Sequence, residues 1–105
     1  MADYLYVALV DVPNELEPEF NRLYDDEHVP LLAAVPGVGK IARYKMEWSD
    51  GDADGMARYA ATYELSSPDL PKTAAWMKQS DTGEWKTKVR PFLTKRAHVM
   101  YKKIG

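Results

Sequence analysis

A chain of 105 residues, 46% hydrophobic and 29% charged, makes a single domain, residues 1–105, able to bury about 65% of its unfolded surface. It has no cysteine, which excludes a disulfide frame and a thiol nucleophile, and no run approaches the roughly 20 apolar residues that a bilayer span requires. The formal net charge of −2 is unevenly placed: residues 1–69 carry 14 acids against 5 bases, and residues 70–105 carry 2 against 9. No nucleic-acid motif accompanies the basic half, so the expectation is a fold that lays the two halves side by side, with no nucleic-acid partner. The opening MADYLYVALVDV lacks a basic n-region, so a signal peptide is not expected and a soluble, cytoplasmic protein without a membrane partner is.

Tyr4 to Val12 is aromatic and β-branched without a polar break, the pattern of a strand covered on both faces. Pro13-Asn14 ends it. A helix is predicted from about Pro18 to Val35, with Glu15, Glu17 and Glu19 in the opening turns where the helix dipole favours anions. With Phe20 at zero and about 100° per residue, Leu16, Leu23, Tyr24, Glu27, Leu31, Ala34 and Val35 form the core stripe, with His28 at its edge. Pro30 removes the amide that would bond to Asp26, so a kink is expected beside these two ionisable groups. Pro36-Gly37 stops the helix.

Val38 to Trp48 reads as the second strand, with Val38, Ala42, Tyr44, Met46 and Trp48 on one face and Ile41, Arg43, Lys45 and Glu47 on the other. Residues 49–57 are a loop. Its Asp50-x-Asp52-x-Asp54-Gly55 imitates half of a calcium site, but the twelfth position is Ala61 where a bidentate glutamate is needed, so no metal is expected. Arg58 to Leu65 returns as a third strand, antiparallel to the second. Ser67-Pro68 fits an N-cap for a helix to about Gln79, and Asp81 with Glu84 fits a capping pair for a short helix bearing Trp85, Val89 and Phe92. Thr94 to Ile104 closes the chain as a strand that opposes Ala97, Val99 and Tyr101 to Arg96, His98 and Met100.

The order β-α-β-β-α-β with right-handed crossovers is the ferredoxin-like α+β plait, a four-stranded antiparallel sheet with the helices on one face. The other face would leave aromatic and apolar side chains in water, so two sheets packed together as a homodimer are expected.

His28 is one of two histidines, and its unperturbed pKa near 6.5 suits it to accept and return a proton. Glu27 is placed to orient it or to act as a base with a raised pKa. Tyr24, four residues before His28, lies beside it on the helix. Tyr44, Tyr59 and Tyr63, spaced as inward strand residues, and Tyr24 are candidates to hold a substrate oxygen, against a plain core role. Trp76 and Trp85 are candidate cavity walls, and Arg43 a candidate partner for a substrate carboxylate, against a surface or interface ion pair. His98 carries no motif and is the weaker histidine.

Tyr24-x-x-Glu27-His28-x-Pro30-Leu31-Leu32, then Val35-Pro36-Gly37-Val38 and Arg43-Tyr44, resembles the EthD-like branch of the dimeric α/β-barrel superfamily. Gly83-x-Trp85, Val89-Arg90-Pro91 and His98-Val99-x-Tyr101 are similar to small members of that group, so the resemblance spans nearly the whole chain. It implies a ferredoxin-like dimer and a group whose members include cofactor-free lyases, lactone isomerases, polyketide cyclases and oxygenases. The residue matching His28 in catalytic members faces a cavity and is a candidate for proton transfer. The expected function is a cofactor-independent lyase or isomerase acting on a small, partly apolar, acidic, aromatic or lactone-like metabolite. The alternatives are a cofactor-free oxygenase and a non-catalytic ligand-binding or accessory dimer.

Overall fold

The computed structural model describes residues 2–105. Strands β1 (Tyr4–Asp11), β2 (Val38–Lys45), β3 (Tyr59–Leu65) and β4 (Lys95–Lys102) form one antiparallel sheet in the order β2-β3-β1-β4. Helices α1 (Glu17–Leu23), α2 (Val29–Ala33), α3 (Ala74–Ser80) and α4 (Trp85–Lys88) complete the ferredoxin-like plait that the element order predicted.

Pairing fixes which residues face the helices. Tyr6, Ala8 and Val10 of β1 stand opposite Tyr63, Ala61 and Tyr59 of β3, and opposite Met100, His98 and Arg96 of β4. Because side chains alternate along a strand, these residues share one face. Against it pack Phe20, Leu23, Leu32, Val35 and Val89, all 3% exposed or less. Burying a side chain of this size contributes about 1.5–3 kcal/mol. The reverse face carries Leu5, Val7, Leu9, Ala60, Thr62 and Val99, none of them fully buried. Tyr44 and Tyr101 on the same face are 57% and 56% exposed.

Ion pairs hold the rim. Asp11 accepts the Val12 amide, the Arg58 amide and Arg58 Nε, the last at 2.8 Å, and so ties β1 to the entry of β3. Burial alone would raise the Asp11 pKa, but these donors and the Arg58 charge bring it below the ordinary carboxylate value. Glu17 does more than face the helix dipole, since it accepts from the Tyr59 hydroxyl and from Lys45 Nζ at 3.0 Å.

Several local expectations need correction. The helix predicted over residues 18–35 contains a π turn at Tyr24–His28, where Pro30 was expected to kink it. Strand β2 ends at Lys45 rather than Trp48, and a bulge between Val38 and Ile41 puts Val38 on the helix side with Ile41 and Arg43. Ser67 caps no helix: its Oγ accepts the Asp69 amide in a turn, and Thr73 is the N-cap of α3, accepting from the Trp76 amide at 3.3 Å. Asp81 and Glu84 do not form a capping pair. Asp81 instead accepts from Arg90 at 2.7 Å, and the carboxylate bonded to the start of α4 is Glu27.

Covering the reverse face requires a partner surface, and the expected outcome is a homodimer burying about 1,500 Å² or more in total. Sedimentation should give about twice the 11.9 kDa chain mass, and Val7→Glu, which puts a charge in the middle of that face, should return the monomer. A wild-type chain that sediments as a monomer at micromolar concentration defeats this expectation.

Candidate functional site

The site begins with a missing amide. Pro30 has no N–H for the Asp26 carbonyl, and the chain answers with the π turn, in which the Val29 amide donates to Tyr24 O. A turn closed over five residues takes more chain per rotation than the 3.6 of an α-helix, so everything after it lags by about one position. The buried set is therefore Tyr24, His28, Leu32 and Val35, where a regular helix would have buried Glu27, Leu31 and Ala34. His28 moves from the edge of the stripe to its centre, and Glu27 moves out.

His28 is 7% exposed and lies flat against Trp85, with ring centroids 4.4 Å apart and 21° between planes. Tyr24 meets it edge to face at 5.2 Å. Its Nδ1 is buried with no hydrogen-bond partner, so no protein group fixes the tautomer. Burial, assisted by the Arg90 charge, pushes the His28 pKa down to about 3, and the imidazole is neutral at pH 7.

Tyr24 and Tyr63 share one hydrogen bond between hydroxyls at 2.8 Å. Two phenols have two protons to donate and this bond uses one, which leaves a donor for a third partner. Burial raises the Tyr24 pKa to about 12, against the lowering effects of the Tyr63 bond and the Arg43 charge, and burial raises Tyr63 as well. Both remain neutral donors.

These groups converge on one cavity of about 280 Å³ between the sheet and the helices. Of the residues named from sequence, His28, Tyr24, Tyr63, Trp76 and Trp85 line it. Trp76 stands edge-on to Tyr6 at 5.6 Å and to Tyr63 at 5.5 Å.

Glu27, Arg43 and Tyr44 do not line it. Glu27 Oε1 accepts the Trp85 amide at 2.8 Å, outside the cavity, so it positions the tryptophan that covers His28. Gly83, with φ +85°, is required in this clamp, because a Cβ there would collide with the Glu27 carboxylate. Arg43 sits behind Tyr24, 4.3 Å from the ring centroid to its guanidinium carbon, and donates to Asp25 at 2.8 Å and to Asn21 at 2.9 Å. Tyr44 lies on the reverse face of the sheet, one residue out of phase with Arg43.

The cavity lining also includes six polar residues that were not singled out as cavity groups: Tyr6, Ser80, Asp81, Arg90, Arg96 and the discounted His98. His98 stacks on Tyr6, with centroids 5.5 Å apart and planes 10° from parallel. The alternation of β4 had separated Arg96, His98 and Met100 from Ala97, Val99 and Tyr101 correctly. The side that faced inward became legible only from the pairing of His98 with Ala8. Among the described residues no group of three or more His, Cys, Asp or Glu is placed to hold a metal ion.

No family model and no curated protein sequence matches the chain. Solved structures do. A putative antibiotic biosynthesis monooxygenase from Bordetella bronchiseptica is 15% identical, with all of both chains covered and a TM-score of 0.73. An ethyl tert-butyl ether D (EthD) family protein from Bacillus halodurans C-125 is 14% identical over 99% of this chain and 100% of that one, with a TM-score of 0.67. SnoaB, a cofactor-independent oxygenase from Streptomyces nogalater, is 16% identical over 99% of this chain and 96% of its own, with a TM-score of 0.62. The chain thus has the ferredoxin-like fold that these structures share. An EthD family protein is among the structures that share it, as the motif around His28 implied. No helix among the described residues is long and apolar enough to cross a membrane.

Two outcomes follow from this geometry. Gly83→Ala forces a side chain into a left-handed conformation and against Glu27, and should cost about 1–3 kcal/mol, read as a lower Tm and a red-shifted Trp85 emission. His28, with its folded pKa depressed below the unfolded value of about 6.5, should bind its proton in the unfolded chain first. Stability is then full above pH 6.5 and declines as pH falls towards 3, by about 2 kcal/mol at pH 5. Denaturant unfolding of wild type and His28→Gln across pH 4–7 should show a steeper acid-side loss in the wild type, because the variant keeps only the contributions of groups such as His98 and Asp11.

Proposed function

We propose that the cavity binds a small planar organic molecule and that His28 moves a proton on it without a cofactor, as a lyase or isomerase. The observation that carries this reading is a neutral imidazole, without a hydrogen-bond partner at Nδ1, that lines one cavity with two hydrogen-bonded phenols. Transfer of a proton from an acidic C–H or O–H to His28 would create imidazolium and a substrate anion together. The depressed pKa sets that cost at about 5 kcal/mol in the empty cavity. An ion pair 4 Å apart recovers about 4 kcal/mol at an effective dielectric of 20, so protonation becomes feasible only when the anion is present. The spare phenolic donor of Tyr24 and Tyr63 stabilises charge developing on the substrate oxygen. Proton return at another carbon would complete an isomerisation; loss of a leaving group would complete a lyase reaction.

A second reading, the cofactor-free oxygenase, is favoured by the likeness to SnoaB over nearly the whole chain. It shares the first step, since an electron-rich phenolate is the species able to reduce dioxygen, the co-reactant. A non-catalytic binding role would use the same cavity with no need for the free nitrogen.

The test is a panel of hydroxyaromatics and unsaturated lactones assayed for deuterium uptake from solvent, elimination and oxygen consumption. With any substrate found, His28→Ala and His28→Gln should lower turnover by about 10²- to 10⁴-fold while the fold is retained. Dependence on dioxygen selects the oxygenase. A fully active His28→Gln variant ends the proton-transfer reading, since glutamine keeps a hydrogen bond but accepts no proton.

A further inference from the structure

The cavity has one unbalanced charge. Arg90 is committed, donating to Asp81 at 2.7 Å and to both the carbonyl and hydroxyl oxygens of Ser80 at 2.9 Å. Arg96, on edge strand β4, has no ion pair or side-chain hydrogen bond among the described residues, yet it lines the same cavity. It is exposed, as is His98 beside it, while Trp76, Trp85 and His28 deeper in are buried, so it marks the mouth. Its register partner Val10 and its neighbour on the same face, His98, set it on the helix side of the sheet. Its charge reaches inward, pulling down the pKa values of His98 and Tyr6 against or beside the effect of burial. The walls are flat: Tyr6 stacked with His98 at one side, His28 stacked with Trp85 at another.

We propose that the ligand is a planar aromatic monocarboxylate whose carboxylate pairs with Arg96 at the mouth while its ring enters between the stacked walls. A guanidinium presents two parallel N–H donors that match a carboxylate. One uncompensated positive charge balances one negative charge, which favours a carboxylate over a phosphate monoester with nearly two. Arg43, the arginine singled out from sequence for this role, is held by Asp25 and Asn21 behind Tyr24. The orientation of the ring, with its acidic hydroxyl towards His28, rests on the proton-transfer reading; the carboxylate contact does not.

The test is calorimetric titration of the full chain at pH 7 with 6-hydroxy-2-naphthoate and with its methyl ester, which keeps the ring and removes the charge. The acid should bind at least 10-fold more tightly than the ester, and 0.5 M salt should shrink that preference. Arg96→Gln should weaken the acid to the level of the ester and leave the ester unchanged; Arg96→Lys should retain part of the preference. Arg96 is exposed, so a Tm near that of wild type is expected for both variants. His28→Gln should leave the acid-to-ester ratio intact, which separates failure of this proposal from failure of the proton-transfer reading. Equal binding of acid and ester, binding of neither, or a preference that survives Arg96→Gln overturns it.

Discussion

The geometry of the cavity depends on an amide that Pro30 does not have. A helix missing one donor can break, bend or widen, and this one widens, with the Val29 amide reaching back to Tyr24 O. The extra residue in the turn changes the phase of everything that follows. His28 rather than Glu27 faces the core, and Leu32 rather than Leu31. The displaced Glu27 is then free to take the Trp85 amide, which brings the indole over the imidazole. One backbone defect thus sets both the histidine and the wall it lies against. A single carboxylate, placed outside, holds the wall.

Electrostatics divides along the same boundary. Outside the cavity, three ion pairs brace the frame: Asp11 with Arg58, Glu17 with Lys45, Asp25 with Arg43. These pairs are partly exposed and each contributes little by itself, but they fix the ends of strands and the back of Tyr24. In the cavity, burial keeps His28, Tyr24 and Tyr63 neutral, and the one lining carboxylate, Asp81, is taken by Arg90. That leaves Arg96 as the lining charge without a partner among the described residues.

The sheet was legible because strand patterns have a period of two and announce their ends: Pro13-Asn14, Pro36-Gly37 and the acidic loop all fall where strands stop or turn. The helices were located but not phased. Helical periodicity assumes 3.6 residues per turn throughout, and the π turn breaks that assumption at Tyr24–His28, where the chain meets the cavity. Pro30 did announce a disturbance; its form, a widening rather than a kink, decides between Glu27 and His28 and cannot be read from local letters. Tyr44 was misplaced for a related reason. Alternation sorts a strand into two faces without saying which is inside, and the bulge after Val38 moved that residue from one set to the other. Asp81 and Glu84 had the right spacing for a cap, yet Arg90 took the first, and a carboxylate 58 residues away in the chain bonds the Trp85 amide.

Strand β4 borders both the cavity and the uncovered face of the sheet. Its alternate residues serve opposite sides of the sheet, with Arg96, His98 and Met100 towards the cavity and Ala97, Val99 and Tyr101 towards the uncovered face. Slipping the register by one residue would exchange the sets, drawing Val99 into the cavity and putting Arg96 and His98 on the apolar face. Two backbone bonds pin the strand at its ends, Thr94 N–H to Asp11 O at 2.9 Å and Lys103 N–H to Asp3 O at 2.7 Å. The first of these joins the residue whose carboxylate holds Arg58, so the ion pair at the rim, the register of β4 and the position of Arg96 share one anchor. A partner sheet packed on Val99 and Tyr101 would oppose the same slip from the other side. Assembly through that face would therefore couple to the cavity through an edge strand, the element of a sheet that is paired along one side only.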